Sequence, residues 1–280
     1  MKQDSTILVC CHKDDYFYNG ENLLPIHVGK AISNVNINIQ GDDTEDSIST
    51  KNPNYCELTA HYWYWKNCKH SKYVGLNHYR RYFDFKSRLP YGSSYTIFPE
   101  VNSDTFSLTI PNLDSMFRDT DIILPKRIVY PFSLTDDYKF CHISDDLEIM
   151  KQVVSELYPD YLPAYTDVMD KNNQLAHYNM FITTSSIFNE YSKWLFDILF
   201  EVERRVKVSA YPVQARIFGY MSERLLNVFV HYKNLKVKYV PIVKISGEKQ
   251  NSPLRDFIRL VRNQLIFLLM GRRTRGSYWQ

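Results

Sequence analysis

The stretch YVGLNHYRRYF, from Tyr73 to Phe83, opens as a buried strand and ends in a histidine, two arginines and a crowd of tyrosines. A short continuous apolar run of this kind is the pattern of a strand in the middle of an α/β sheet. In such sheets ligands sit beyond the carboxyl ends of the strands. Asn77, His78, Arg80 and Arg81 fall at that end. Two neighbouring guanidinium groups suit a diphosphate, because each makes paired, charge-assisted bonds to phosphate oxygens. In extended chain the two point to opposite faces, so one binds and the other braces. The competing reading is that both pair with acids such as Asp84 and hold the loop.

Outward from this strand, the chain alternates strands with helices. TILVCC (residues 6–11) is a first buried strand, LPIHVGKAI holds a short second one, and DIILPKR (121–127) and KVKYVPIV are two more. NPNYCELTAHYWYWKNCK starts a helix, with Asn52 or Asn54 as N-cap and Glu57 in the first turn. SDDLEIMKQVVSELYP is a helix capped by Ser144 and stopped by Pro159. Tyr178–Thr183 reads as a strand, followed by a long amphipathic helix and a further helix through PVQARIFGYMSERLL. Alternation of this kind predicts a layered α/β fold with a mostly parallel central sheet. A soft break at Ser246–Pro253 divides the chain into a domain over residues 1–247 and a helical tail over 248–280.

The chain has 280 residues, 44% hydrophobic and 23% charged, with 22 Tyr and 16 Phe. Tyrosines in that number suit a wide polar cleft. The net charge is +3, but the segment from Arg255 to Arg275 alone carries +5 and leaves −2 for the rest. A near-neutral body with a basic tail argues against a nucleic-acid partner. Five cysteines without a CxxC pair indicate free thiols in a reducing compartment. The N-terminus lacks the form of a signal peptide and no apolar run is long enough to span a bilayer, so a cytoplasmic protein is expected. Cys56, His61, Cys68 and His70 match no zinc spacing, and Tyr62, Trp65 and Cys68 share a helical face that belongs in a core. No Walker sequence, G-x-G-x-x-G or G-x-S-x-G is present.

The segments VGLNHYRRYF, DDTEDSIS, KNPNYCELTAHYWYWKN, YNMFI, WLFDILFEVE and QARIFGYMSERLL resemble a bacterial family found in capsular and exopolysaccharide gene clusters, long described only as a domain of unknown function and similar to glycosyltransferases. The likeness runs from about Thr6 to Val243. It implies a single GT-A-like (Rossmann-like) domain that transfers a sugar from a nucleotide diphosphate sugar, UDP-linked and with galactofuranose among the donors, to a growing, lipid-linked glycan. GT-A folds often carry an Asp-x-Asp metal motif at a central strand end, where this chain reads LNHYRR. The departure implies a metal-independent enzyme in which His78, Arg80 and Arg81 take the place of the ion.

The acidic loop admits three readings: a Mg²⁺ or Mn²⁺ site at Asp42 and Asp43 with Asp46, a solvated capped turn, or recognition of donor hydroxyls. A base for the acceptor hydroxyl would come from Asp42, Asp43, Glu223 or His78. In AHYNMFI, the resemblance places His177 and Asn179 against sugar or acceptor hydroxyls. In the tail, Arg255, Arg259 and Arg262 share one side of a helix rich in Leu, Ile and Phe, with Arg272, Arg273 and Arg275 after it. That pattern predicts a helix lying in an anionic membrane interface, which would hold the enzyme on the cytoplasmic face of the membrane; the alternative is a helix docked on the domain.

Overall fold

A computed structural model describes residues 4–90, 92–98, 108–246, 248, 250 and 252–273, without the side chains of 271–273. The chain begins with β1 (Ser5–Cys11), β2 (Leu23–His27) and β3 (Gln40–Gly41), then helices α1 (Asn52–Tyr55) and α2 (Leu58–Asn67). Next come β4 (Tyr73–His78), β5 (Arg81–Phe83), β6 (Tyr95–Phe98), α3 (Leu113–Met116), β7 (Ile122–Pro125) and β8 (Ile128–Val129). Helices α4 (Leu134–Cys141), α5 (Ser144–Leu157) and α6 (Leu162–Met169) lead to β9 (Gln174–Leu175) and β10 (Phe181–Thr184). The remainder is α7 (Ser185–Arg205), α8 (Pro212–Ala215), α9 (Ile217–Tyr232), β11 (Val237–Val240), β12 (Ile242–Ile245) and α10 (Pro253–Arg273).

The main path of the sheet runs β11-β7-β10-β4-β1-β2-β3. The pairs β1–β2, β1–β4, β2–β3 and β7–β11 are parallel, while β10 runs antiparallel to both β4 and β7. The expected α/β fold with a mostly parallel sheet is therefore present. The apolar run of β1 is buried because both faces of the sheet are covered. Leu8 and Cys10 point into a core shared with α2, α5, α6, α7 and α9, while Ile7 and Val9 point to smaller clusters on the opposite face. Gly75 of β4 marks a close approach: a Cβ there would stand 2.8 Å from the Phe181 carbonyl oxygen.

Several local expectations change. The helix read from NPNY onward is broken at Cys56, whose φ of 52° and ψ of −130° end α1 and restart the chain as α2. Neither Asn52 nor Asn54 caps it. Asn52 Nδ2 bridges the break to the Cys56 carbonyl (2.8 Å), and Asn54 Nδ2 reaches the Ala215 carbonyl (2.9 Å). Ile143, not Ser144, holds the N-cap position of α5. The strand expected from Tyr178 begins only at Phe181, because Tyr178 and Asn179 take left-handed φ angles of 71° and 52°. The tail forms a helix, and it is docked on the body: Asn263 Nδ2 donates to the Val129 carbonyl of β8 at 2.8 Å.

Candidate active site

Strand β1 has β2 on one side and β4 on the other, so the connections leave it in opposite directions. The gap beyond the carboxyl ends of β1 and β4 is the topological switch point of the sheet, where open α/β folds bind ligands. A cavity of about 520 Å³ opens there, lined among others by Cys10, His12, Glu57, His78, Arg81 and Arg216. Each arrives from a different piece of chain. His78 ends β4 and Arg81 faces it across the tight turn into β5. The left-handed Cys56 turns Glu57 to the cavity, and Arg216 comes in from the α8–α9 junction with its Nε 3.2 Å from the Cys56 sulfur.

Two left-handed residues in succession, neither of them glycine, hold strain that the surrounding bonds must maintain. The Tyr178 carbonyl accepts from His78 Nε2 at 2.7 Å, which leaves Nδ1 of a neutral ring as an acceptor. The Tyr178 N–H donates to Glu223 Oε1 at 2.7 Å. Asn179, buried, donates from Nδ2 to Glu57 Oε1 (2.6 Å) and to the Gly219 carbonyl (3.1 Å), and its Oδ1 accepts from Ser222 Oγ (2.8 Å). The Tyr178 ring lies under the Arg81 guanidinium at 4.7 Å. The strained pair thus ties β4, α2 and α9 together behind the cavity wall.

Behind this layer runs a second chain of contacts. Glu223 Oε2 lies 3.5 Å from His177 Nδ1, and His177 Nε2 lies 2.5 Å from the Tyr130 hydroxyl. Burial pushes the Glu223 carboxyl up, but His177, Arg224 and the Tyr178 N–H outweigh it and hold the group below its ordinary value. His78 is pushed down, by burial first and with Arg81 adding to it, against the opposing pull of Glu57. His12 is also lowered, by burial and by neighbouring cations that include Arg216. Both imidazoles are therefore neutral near pH 7, and the fixed positive charge on the cavity comes from Arg81 and Arg216.

The structure separates the two arginines of the opening stretch. Arg81 lines the cavity, whereas Arg80 turns outward to Asp15, with Nε and Nη2 at 3.1 and 2.5 Å from one carboxylate oxygen. His78 lines the cavity; His177, Asn179 and Glu223 stand behind its wall. None of the three acids of the loop lines the cavity, although Asp42 holds the turn that follows Val28, which does. Asp42 is fully buried and accepts from the Gly29 N–H (2.9 Å), the Lys30 N–H (3.2 Å) and Ser49 Oγ. Asp43 faces Lys30 at 3.9 Å, and Asp46 accepts from the Tyr62 hydroxyl at 2.9 Å. Both Asp42 oxygens are thus engaged by the chain itself. Among the described residues no group of three or more His, Cys, Asp or Glu could hold a metal. Sequence reasoning passed over Glu57, Arg216 and His12. Glu57 reads as an ordinary first-turn acid, and nothing near Arg216 in sequence points to β4.

Residues 6–234 match the family described as Domain of unknown function (DUF4422). No curated protein matches. A solved structure, the WbbM bifunctional glycosyltransferase in its apo form, is similar at a TM-score of 0.77 and 33% identity over 89% of this chain. The match covers 47% of that chain, so the present sequence spans about half its length. On the match over most of its length, this chain belongs to the DUF4422 family.

Proposed function

We propose that this protein is a glycosyltransferase, a hexosyltransferase that moves a sugar from a nucleoside diphosphate sugar to a growing surface polysaccharide carried on a lipid. The observation that carries the reading is the cavity at the switch point, which brings two arginines and one carboxylate together from three separate segments. The likeness to a bifunctional glycosyltransferase supports it.

In this reading the donor diphosphate lies on Arg81 and Arg216. Guanidinium groups fixed beside a leaving diphosphate stabilise the charge that develops as the glycosidic bond breaks, without reorganising at that moment. Glu57, oriented by Asn179, takes the proton of the acceptor hydroxyl. His78 accepts a donor or acceptor hydroxyl at Nδ1, its tautomer set by the Tyr178 carbonyl. Glu223 is a positioning residue that holds Tyr178 and His177. The two arginines take the charge-neutralising part that a divalent ion would play, and the domain over residues 1–247 holds the whole reaction.

The test is release of nucleoside diphosphate, read with product mass, over a panel of UDP-sugars that includes galactofuranose and a lipid-linked acceptor, with and without EDTA. The expected result is UDP release and a gain of one hexose, undiminished by EDTA and lost in Glu57→Gln. A product carrying phosphate would mean sugar-phosphate transfer. No release from any donor, despite nucleotide binding, would make the protein a binding module. Strict dependence on Mn²⁺ would overturn the role given to the arginines.

A further inference from the structure

Helix α10 docks with its amphipathicity turned inside out. Its buried side is polar: Asp256 and Asn263 are 2% and 6% exposed. Asp256 accepts from Ser93 Oγ at 2.8 Å and pairs with Arg259 at 2.8 Å, and Asn263 reaches β8. Its outward side is apolar. Leu254, Ile258, Leu265, Leu268 and Leu269 are each more than half exposed, at 67%, 56%, 55%, 54% and 64%. Their spacing puts them on one stripe, continued by Val261. Arg255 and Arg262, both exposed, flank the stripe on the same side. A contiguous outward face of large aliphatic side chains is the mark of an interaction surface.

Charge selects the occupant. The segment from Arg255 to Arg275 carries +5 against −2 for the remainder, with Arg272 and Arg273 closing the helix and Arg275 outside the described residues. A second copy of the chain would set an equally cationic helix against this one. An anionic lipid surface takes both the stripe and the arginines. No helix among the described residues is long and apolar enough to cross a membrane, so α10 would lie in the interface.

Position adds a reason. Helix α10 packs on β8, which follows the carboxyl end of β7, and β7 runs in the same direction as β4. The helix therefore sits at the strand-end edge that carries the candidate active site. A second cavity, of about 410 Å³, lies along that edge against the helix and is lined among others by Lys126, Arg127, Arg259 and Tyr95. Lys244 spans the rest, 3.8 Å from the Tyr95 ring and 5.5 Å from the ring of Tyr178, on which Arg81 also rests. A row of cations joins the helix to the catalytic cavity.

We propose that α10 seats the protein on an anionic lipid surface, with its aliphatic stripe in the interface, its arginines among the headgroups, and the strand-end edge turned toward the lipid. The inference deepens the transferase reading by naming where the acceptor is met, but lipid binding is read without any turnover, so either can fail alone.

The experiment is flotation of the full chain with vesicles of phosphatidylcholine alone and of an equimolar mixture with phosphatidylglycerol. The protein should float with the anionic vesicles only. Leu265→Glu with Leu269→Glu should abolish flotation while leaving the melting temperature unchanged, since neither side chain packs on the body. Arg255→Gln and Arg262→Gln should each weaken partitioning about fivefold. Circular dichroism and gel filtration establish that each variant is folded. Failure of the wild-type chain to float would overturn the proposal, as would unchanged flotation of the double leucine variant. So would a wild-type dimer that the leucine substitutions convert to monomer without any lipid binding, because the stripe would then be a self-interface.

Discussion

Arg80 and Arg81 are adjacent, identical in type and different in surroundings, which makes them a controlled comparison. Arg81 faces the cavity and stacks on Tyr178, so Arg81→Ala should remove a charge-assisted contact to the donor, worth roughly 1.5–3 kcal/mol. That should appear as a large loss of kcat/KM for the nucleotide sugar. Lysine should rescue poorly, lacking the planar fork. Arg80→Ala breaks an exposed pair with Asp15, of the kind worth about 0–1 kcal/mol, and should leave donor kinetics nearly intact. Equal losses in the two variants would remove Arg81 from the donor site. The strand-end position of Arg81 was legible from the buried apolar run before it; which of the two arginines faces the cavity was not. Glu57 was illegible for a specific reason. Its direction is set by the left-handed backbone of Cys56, and no local pattern announces that conformation in a cysteine. Asp42 has a part that the sequence does not announce: in the acidic cluster after Gly41, the first carboxylate holds the turn at Gly29 and Lys30.

Two elements can be tested through single residues in their packing. In β4, Gly75 leaves room for the backbone of β10, so Gly75→Ala forces a Cβ to within 2.8 Å of the Phe181 carbonyl oxygen. Strand separation must increase, and a destabilisation of about 1–3 kcal/mol is expected in urea unfolding, as for overpacked cores. Wild-type stability in that variant would mean the strands are looser than described. Between α2 and α7, His61 is buried, stacked on Phe188 at 5.0 Å, with Nε2 2.7 Å from Ser192 Oγ. Burial pushes its pKa down to about 3. An unfolded histidine titrates near 6.5, so below that pH the unfolded chain binds one more proton. The contribution of His61 is whole above about pH 6.5 and declines by about 1.4 kcal/mol per pH unit toward pH 3. His61→Gln keeps a polar group for Ser192 and does not titrate. Between pH 7 and pH 5 it should lose about 2 kcal/mol less stability than the wild type does. Parallel pH profiles for the two proteins would show that His61 is not the titrating group. The existence of these elements could be read from apolar period and β-branched runs. The direction of β10 could not, since an apolar run reads the same in either direction, and its late start depends on the strain at Tyr178 and Asn179.

At the scale of the whole molecule, the tail is attached to the body but not built into it. No α10 residue with a described side chain belongs to any of the three hydrophobic clusters, and α10 meets the body through Asp256, Asn263, Gln264 and the backbone beside Gly92, among other contacts. A chain ending at Ser246 keeps β12 and every cluster residue. It should fold, bind nucleotide through Arg81 and Arg216, and melt only a few degrees lower, because the hydrogen bonds lost at Ser93, Val129 and Asn173 are worth about 1 kcal/mol each and these groups become reachable by water. Its rate with a soluble acceptor should stay near that of the full chain. Its rate with acceptor in anionic vesicles should fall to the level of an enzyme that meets substrate only by diffusion, and rising salt, which weakens the full-length enzyme on vesicles, should leave the shortened one unaffected. Differential scanning calorimetry and the two acceptor assays decide the matter. If the shortened chain aggregates or loses nucleotide binding, α10 is part of the core. If it keeps full activity on vesicles, the body finds the lipid surface without the helix.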